Sequence, residues 1–162
     1  MIKRKVISTM FLIGILAASN WIYSLRVAQA ATCSGNACSG QNPNSTGCDA
    51  NASTIAQLYV SVPNGGGTYY YELVEVRKSN ICTTKWAKTT NLESSFPTYR
   101  YLRSELQTSG GSVQWSQNGA GNQLAQVYTL QQYAPSTCYK AFGRVTPNSN
   151  YTGGQTGTTS CA

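Results

Sequence analysis

The sequence predicts an all-β fold, a small antiparallel barrel or sandwich with a disulfide-stapled N-terminal loop. Three observations lead there. The six cysteines, Cys33, Cys38, Cys48, Cys82, Cys138 and Cys161, all lie beyond the first 32 residues of a 162-residue chain, and an even count placed this way reads as a disulfide framework made in an oxidising compartment. Short segments rich in β-branched and aromatic residues alternate with Gly, Pro and Asn clusters. Beyond residue 30 no helical period runs longer than two turns.

Residues 1–30 read as a cleavable export signal. Lys3, Arg4 and Lys5 precede the apolar run Val6–Ala18, and Ala28-Gln29-Ala30 supplies the small-x-small pattern of a cut after Ala30. The run is too short and too broken, at Ser19-Asn20, for a spanning helix, so a secreted protein with no membrane contact after cleavage is expected. Cleavage also removes four basic residues. Eight Lys and Arg then face five Asp and Glu, a balance of +3. The charges are spread along the chain, so nucleic-acid binding, which needs clustered phosphate contacts, is not expected.

The 132 residues that follow the signal suit one domain, expected over 31–146 with a Gly/Thr-rich tail at 147–162. Their apolar bulk is thin, with two Trp, two Phe, no Met and ten Tyr, so disulfides are expected to supplement the core. Ala31–Asn51 is a loop shaped by cysteines. Ala52–Val62 reads as the first strand, ended by Pro63-Asn64-Gly65-Gly66-Gly67. Thr68–Lys78 is the clearest strand, because Val74 and Val76 alternate with Glu75 and Arg77. Ser79-Asn80 turns the chain into a returning strand, Cys82–Thr89, and Val74, Val76 and Trp86 are expected to share one buried face while Glu75 meets solvent. Thr98–Gln107, Ser112–Ser116, Ala125–Gln131 and Cys138–Val145 complete the strand set. Asn91–Ser95 has room for a single helical turn.

Within this frame Cys33-x-Gly35-x-x-Cys38-x-Gly40-x-x-Pro43-x-x-Thr46-Gly47-Cys48, followed by Thr54, forms one motif. Val74-Glu75-Val76-Arg77, then Cys82, then Trp86-Ala87-Lys88, forms a second. Together they resemble DUF2690, a family of secreted bacterial domains of actinomycete and Bacillus type. The resemblance implies an extracytoplasmic domain and no particular reaction. Asn42 and Asn51 stand where the family usually carries Asp, which speaks against a carboxylate or calcium role at those positions. Cys138 and Cys161 lie outside the shared pattern, so they are expected to pair with each other. Of the three arrangements open to the other four, Cys33–Cys38 with Cys48–Cys82 is the one favoured.

The chemistry begins with an absence. The chain has no histidine, which removes Ser-His-Asp and Cys-His catalysis and every zinc site that needs imidazole. Glu72 and Glu75 are three apart on a strand and should point to opposite faces, so they do not make a facing pair for glycoside hydrolysis. No catalytic residue, metal ligand or cofactor site is assigned. Tyrosine is the remaining lead, because exposed rings beside amides and hydroxyls suit sugar or peptide stacking. Tyr69, Tyr71 and Tyr101 are the candidate stacking residues. The reading that results is a monomeric, secreted, non-enzymatic binding module for an extracellular ligand, either a cell-wall polymer or a secreted protein. The alternatives are an inhibitor that presents the loop Asn36–Gly47 as a wedge and a hydrolase that uses carboxylates alone.

Overall fold

A computed structural model describes residues 30–64, 67–92, 101–121 and 125–162, with backbone only at 62–64 and 67–71. The expected signal at 1–30 and the expected turn at Asn91–Ser95 therefore fall wholly or mostly outside the described residues. Among the described residues nine strands form two antiparallel sheets. The first contains β1 (Ala52–Asn64), β2 (Gly67–Ser79), β3 (Thr84–Asn91) and β6 (Gln126–Tyr128), in that order, with β7 (Gln132–Tyr133) also on β3. The second has the order β5 (Val113–Ala120), β4 (Tyr101–Thr108), β8 (Tyr139–Thr146) and β9 (Gln155–Thr158). The expected choice between barrel and sandwich resolves to a sandwich.

The sheets stack nearly strand on strand, β1 against β9, β2 against β8, β3 against β4 and β8, and β6 against β4 and β5. Register explains how they approach so closely. Leu58, Val74, Thr89 and Val127 are partners across the first sheet. Gly157, Gly143 and Ser104 are partners across the second. A Cβ on Gly143 would lie 2.4 Å from Val74 Cγ2 and 2.9 Å from Thr89 Oγ1, and one on Gly157 would lie 2.5 Å from Val60 Cγ2. A row of branched side chains thus seats on a row of near-bare backbone. The core between the sheets holds Val60, Val74, Val76, Ala87, Leu106, Ala134, Tyr139 and Ala141. Inward-facing positions alternate along each strand, as a two-layer sandwich requires.

Two expectations about the central hairpin need correction. Cross-strand partners share a face, and the register pairs Val76 with Ala87 but Arg77 with Trp86. Val74 and Val76 therefore face the second sheet, while Trp86 lies on the opposite face with Glu75 and Arg77. That face is not open to solvent. Trp86 is 0% exposed and Glu75 only 5%, and the N-terminal segment, residues 30–51, is tied to the same face through Asp49 at Arg77 and through Thr46, which reaches Thr84 by way of Gln131. Arg77 reaches the end of this segment, donating from Nη2 to the Ala52 carbonyl at 3.1 Å and standing 3.8 Å from Asp49 Oδ1. Glu75 accepts a hydrogen bond from Thr54 Oγ1 and stands 3.7 Å from Arg77 Nη1 and 3.5 Å from Lys88 Nζ.

The C-terminal segment is also more ordered than a tail. Residues 155–158 add β9 to the edge of β8, and Cys161 bonds to Cys138. Tyr139 and Ala162 exchange backbone hydrogen bonds of 2.9 and 3.0 Å. Lys85 closes the same end, its Nζ donating to Thr137 O at 2.8 Å and Ala162 O at 3.0 Å. Burial lowers its pKa, helped by Lys78.

Candidate ligand cleft

The N-terminal segment has no apolar period, so its shape comes from covalent and polar ties. Disulfides join Cys33 to Cys38 within the segment and Cys48 to Cys82 in the β2–β3 turn, the arrangement favoured from the sequence. The turn is held against the segment by the bond from Gly35 N to Cys82 O at 3.0 Å and against the chain before β8 by the one from Ala134 N to Thr83 O at 3.1 Å. Thr83 sits there at φ 56°, a conformation a threonine keeps only when its surroundings dictate it.

One residue anchors the segment to the sheet edge. Gln131, between β6 and β7, is fully buried. Its Oε1 accepts from Thr84 Oγ1 at 2.8 Å and its Nε2 donates to Thr46 Oγ1 at 3.0 Å. Its backbone N–H donates to Gln41 O and its carbonyl accepts from Gly40 N, at 3.0 and 2.9 Å. The expected strand Ala125–Gln131 is shortened to Gln126–Tyr128, because Gln131 gives two side-chain and two backbone groups to partners outside the ladder. Nothing in the sequence separates Gln131 from Gln132 beside it, and a lone glutamine reads as surface.

The seated segment forms one wall of a cleft at the open edge of the sandwich, where β5 and β6 end their sheets. The cleft has a volume of about 300 Å³ and is lined by Asn42, Gln117, Asn118, Gly119, Gln126, Val127, Tyr128 and Leu130. A Cβ on Gly119 would lie 2.3 Å from Val127 Cγ2, so the bare backbone of β5 meets Val127 and closes the inner end. The Tyr128 hydroxyl accepts from Asn44 Nδ2 at 2.8 Å. Asn42 Oδ1 accepts the Asn44 backbone N–H at 2.9 Å, which ties the wall to itself. Below it, Trp115 Nε1 donates to Gln132 Oε1 at 3.1 Å. Gly40 sits against the Trp115 ring at φ 75°, a backbone conformation that favours glycine.

Among the described residues the lining holds four side-chain amides, one phenol and no charged group. The carboxylates of the described residues lie elsewhere. Glu72 is buried between the sheets, where neither oxygen meets a hydrogen-bond donor among the described residues. Burial raises its pKa to about 8, against a weaker downward pull from Arg144. Glu105 is bound by Arg103 and by Gln107, whose Nε2 donates at 2.7 Å, and Glu93 lies outside the described residues. Of the candidate stacking tyrosines, Tyr101 is half-buried and meets Tyr151 edge-on, with centroids 5.8 Å apart. Tyr69 and Tyr71 belong to β2, and their side chains lie outside the described residues. Tyr128, which is not among those candidates, is the tyrosine of the described residues that lines the cleft.

No curated protein and no solved structure matches the chain. One family does, over residues 36–153, and its description is a protein of unknown function. The match runs well past Lys88 to take in strands β1 to β8 and every residue that lines the cleft, and on that extent the chain belongs to the DUF2690 family.

Proposed function

We propose that this chain is an exported, non-enzymatic binding module whose ligand lies in the cleft between β5 and β6. The single observation that carries this reading is the lining, in which amides and a tyrosine converge with no cation or carboxylate among the described residues. Amides offer donors and acceptors together, and aromatic rings add an apolar face. That combination fits a neutral ligand rich in hydroxyl and acetamido groups, such as a cell-wall polysaccharide. The disulfide framework supports an oxidising, extracytoplasmic setting.

The test is co-sedimentation of the purified protein with insoluble cell-wall material. The expected result is retention that survives high salt and is lost in the Gln117→Ala, Gln126→Ala double variant, whose positions are both exposed. Retention abolished by salt, or equal in the variant, overturns the reading. A second reading draws on the loop itself, since Asn36, Ala37, Gln41, Asn42, Asn44 and Ser45 are exposed on a segment held by two disulfides. A rigid exposed loop of this kind suits an inhibitor wedge, and such a protein binds a secreted protein partner rather than wall polymer.

A further inference from the structure

We propose that Cys33, Cys38, Cys48 and Cys82 form a Zn²⁺ site once both N-terminal disulfides are reduced, so that one metal ion replaces two sulfur–sulfur bonds as the staple of the loop. The inference concerns a different place from the ligand cleft and does not depend on it.

The geometry is that of a tetrahedron in waiting. All four sulfurs lie within 4.8 Å of one another. Cys33 Sγ is 3.9 Å from Cys48 Sγ, and Cys48 Sγ is 4.0 Å from Cys38 Sγ. Zinc holds thiolates at ~2.3 Å, which makes the edge of a ZnS₄ tetrahedron about 3.8 Å. Two of the four contacts across the disulfides already have about that length, the other two lie within 4.8 Å, and the bonded pairs have to open to reach it.

The surroundings suit the ion. Cys38, Cys48 and Cys82 are buried, whereas Cys33 is partly exposed and gives an entry path. Gln131 Nε2 lies 4.0 Å from Cys33 Sγ, where an amide N–H supports a thiolate from outside the ligand set. No histidine exists in the chain to compete, and four soft sulfur ligands select zinc over calcium or magnesium. Four protein ligands make a closed, structural site. The balance is complete: each disulfide takes two electrons and two protons from a dithiol, which closes to its own disulfide. The four thiols then lose four protons as four Zn–S bonds form.

The experiment uses purified protein reduced with a dithiol, exchanged into anaerobic buffer and titrated with Zn²⁺ or Co²⁺. The expected result is one ion per chain, about four protons released per ion, and the visible absorption of tetrahedral tetrathiolate Co²⁺. Oxidised protein takes up none. Cys48→Ser weakens binding about tenfold or more, Gln131→Ala weakens it by a similar factor with stoichiometry unchanged, and the Cys138→Ala, Cys161→Ala variant binds as wild type. Should the reduced, metal-free chain unfold, zinc restores its β-sheet circular dichroism. No uptake by the reduced protein, equal uptake by the oxidised protein, or unchanged uptake in Cys48→Ser overturns the proposal.

Discussion

The two faces of the sheet built on β2 and β3 are both buried, by unlike means. One face meets a second sheet, through Val74, Val76, Ala87 and Thr89 against Leu106, Ala141 and the bare backbone at Gly143. The other meets a loop, through Trp86, an ion-paired Glu75 and Arg77, and Thr84 bonded through Gln131 to Thr46. The first face is held mainly by apolar area, with Glu72 and Thr89 buried in it and no disulfide across it. The second is held by disulfides and paired polar groups, so it depends on each partner being present. What differs is the sensitivity to a single change: loss of one tie on the loop face exposes a whole set of groups arranged for burial.

The largest expected effect breaks the symmetry through pH. Glu72 sits on the sheet-facing side as a neutral acid, its pKa raised from 4.5 to about 8. The folded form therefore holds a proton that the unfolded chain releases above about pH 4.5. This contribution to stability is full below that value, falls as pH rises, and levels off above about pH 8, a change of up to ~5 kcal/mol. Denaturant midpoints across that window check it, and Glu72→Gln should flatten the slope. Trp86→Ala comes next, with an expected loss of about 3–5 kcal/mol. A loss below ~1 kcal/mol would mean the loop does not bury the ring.

Removing the staple is the third. The Cys48→Ala, Cys82→Ala variant should lose roughly 2–4 kcal/mol. The Cys33→Ala, Cys38→Ala variant should lose less, because its bridge spans a sequence separation of 5 rather than 34. Equal losses would place the stabilisation in local packing instead of loop closure. The smallest effect sharpens the polar side. Glu75→Gln should cost about 1–3 kcal/mol, since it leaves Arg77 and Lys88 short of a partner at a site nearly closed to water. An exposed carboxylate would cost almost nothing.

Much of the sandwich was legible in the sequence, and the reasons are local. Alternation in 74–77 and glycine-rich turns mark strands without knowledge of their neighbours. The cysteines announce a loop held by bridges. The face of Trp86 was not legible, because it depends on a four-residue turn, 80–83, that sets the register between β2 and β3. The burial of Glu75 was equally hidden, since alternation says which residues share a face but not what lies over it. Strand β9, Gln-Thr-Gly-Thr, carries no apolar signal and exists because the β8 edge and the Cys161 bridge hold it. The cleft escaped for a similar reason. Asn42, Gln117 and Gln126 are ordinary surface amides in sequence, and only the fold brings them together.

The most direct test of the claim that the stapled loop makes a second interior is the accessibility of Trp86. With Trp21→Phe and Trp115→Phe in place it is the only tryptophan, and its fluorescence can be quenched with acrylamide. A shielded, blue-shifted ring is expected while Cys48 and Cys82 are joined. In the Cys48→Ala, Cys82→Ala background the ring should become quenchable and red-shifted, with circular dichroism of the sheets retained. A ring already quenched freely in the intact protein would contradict the claim.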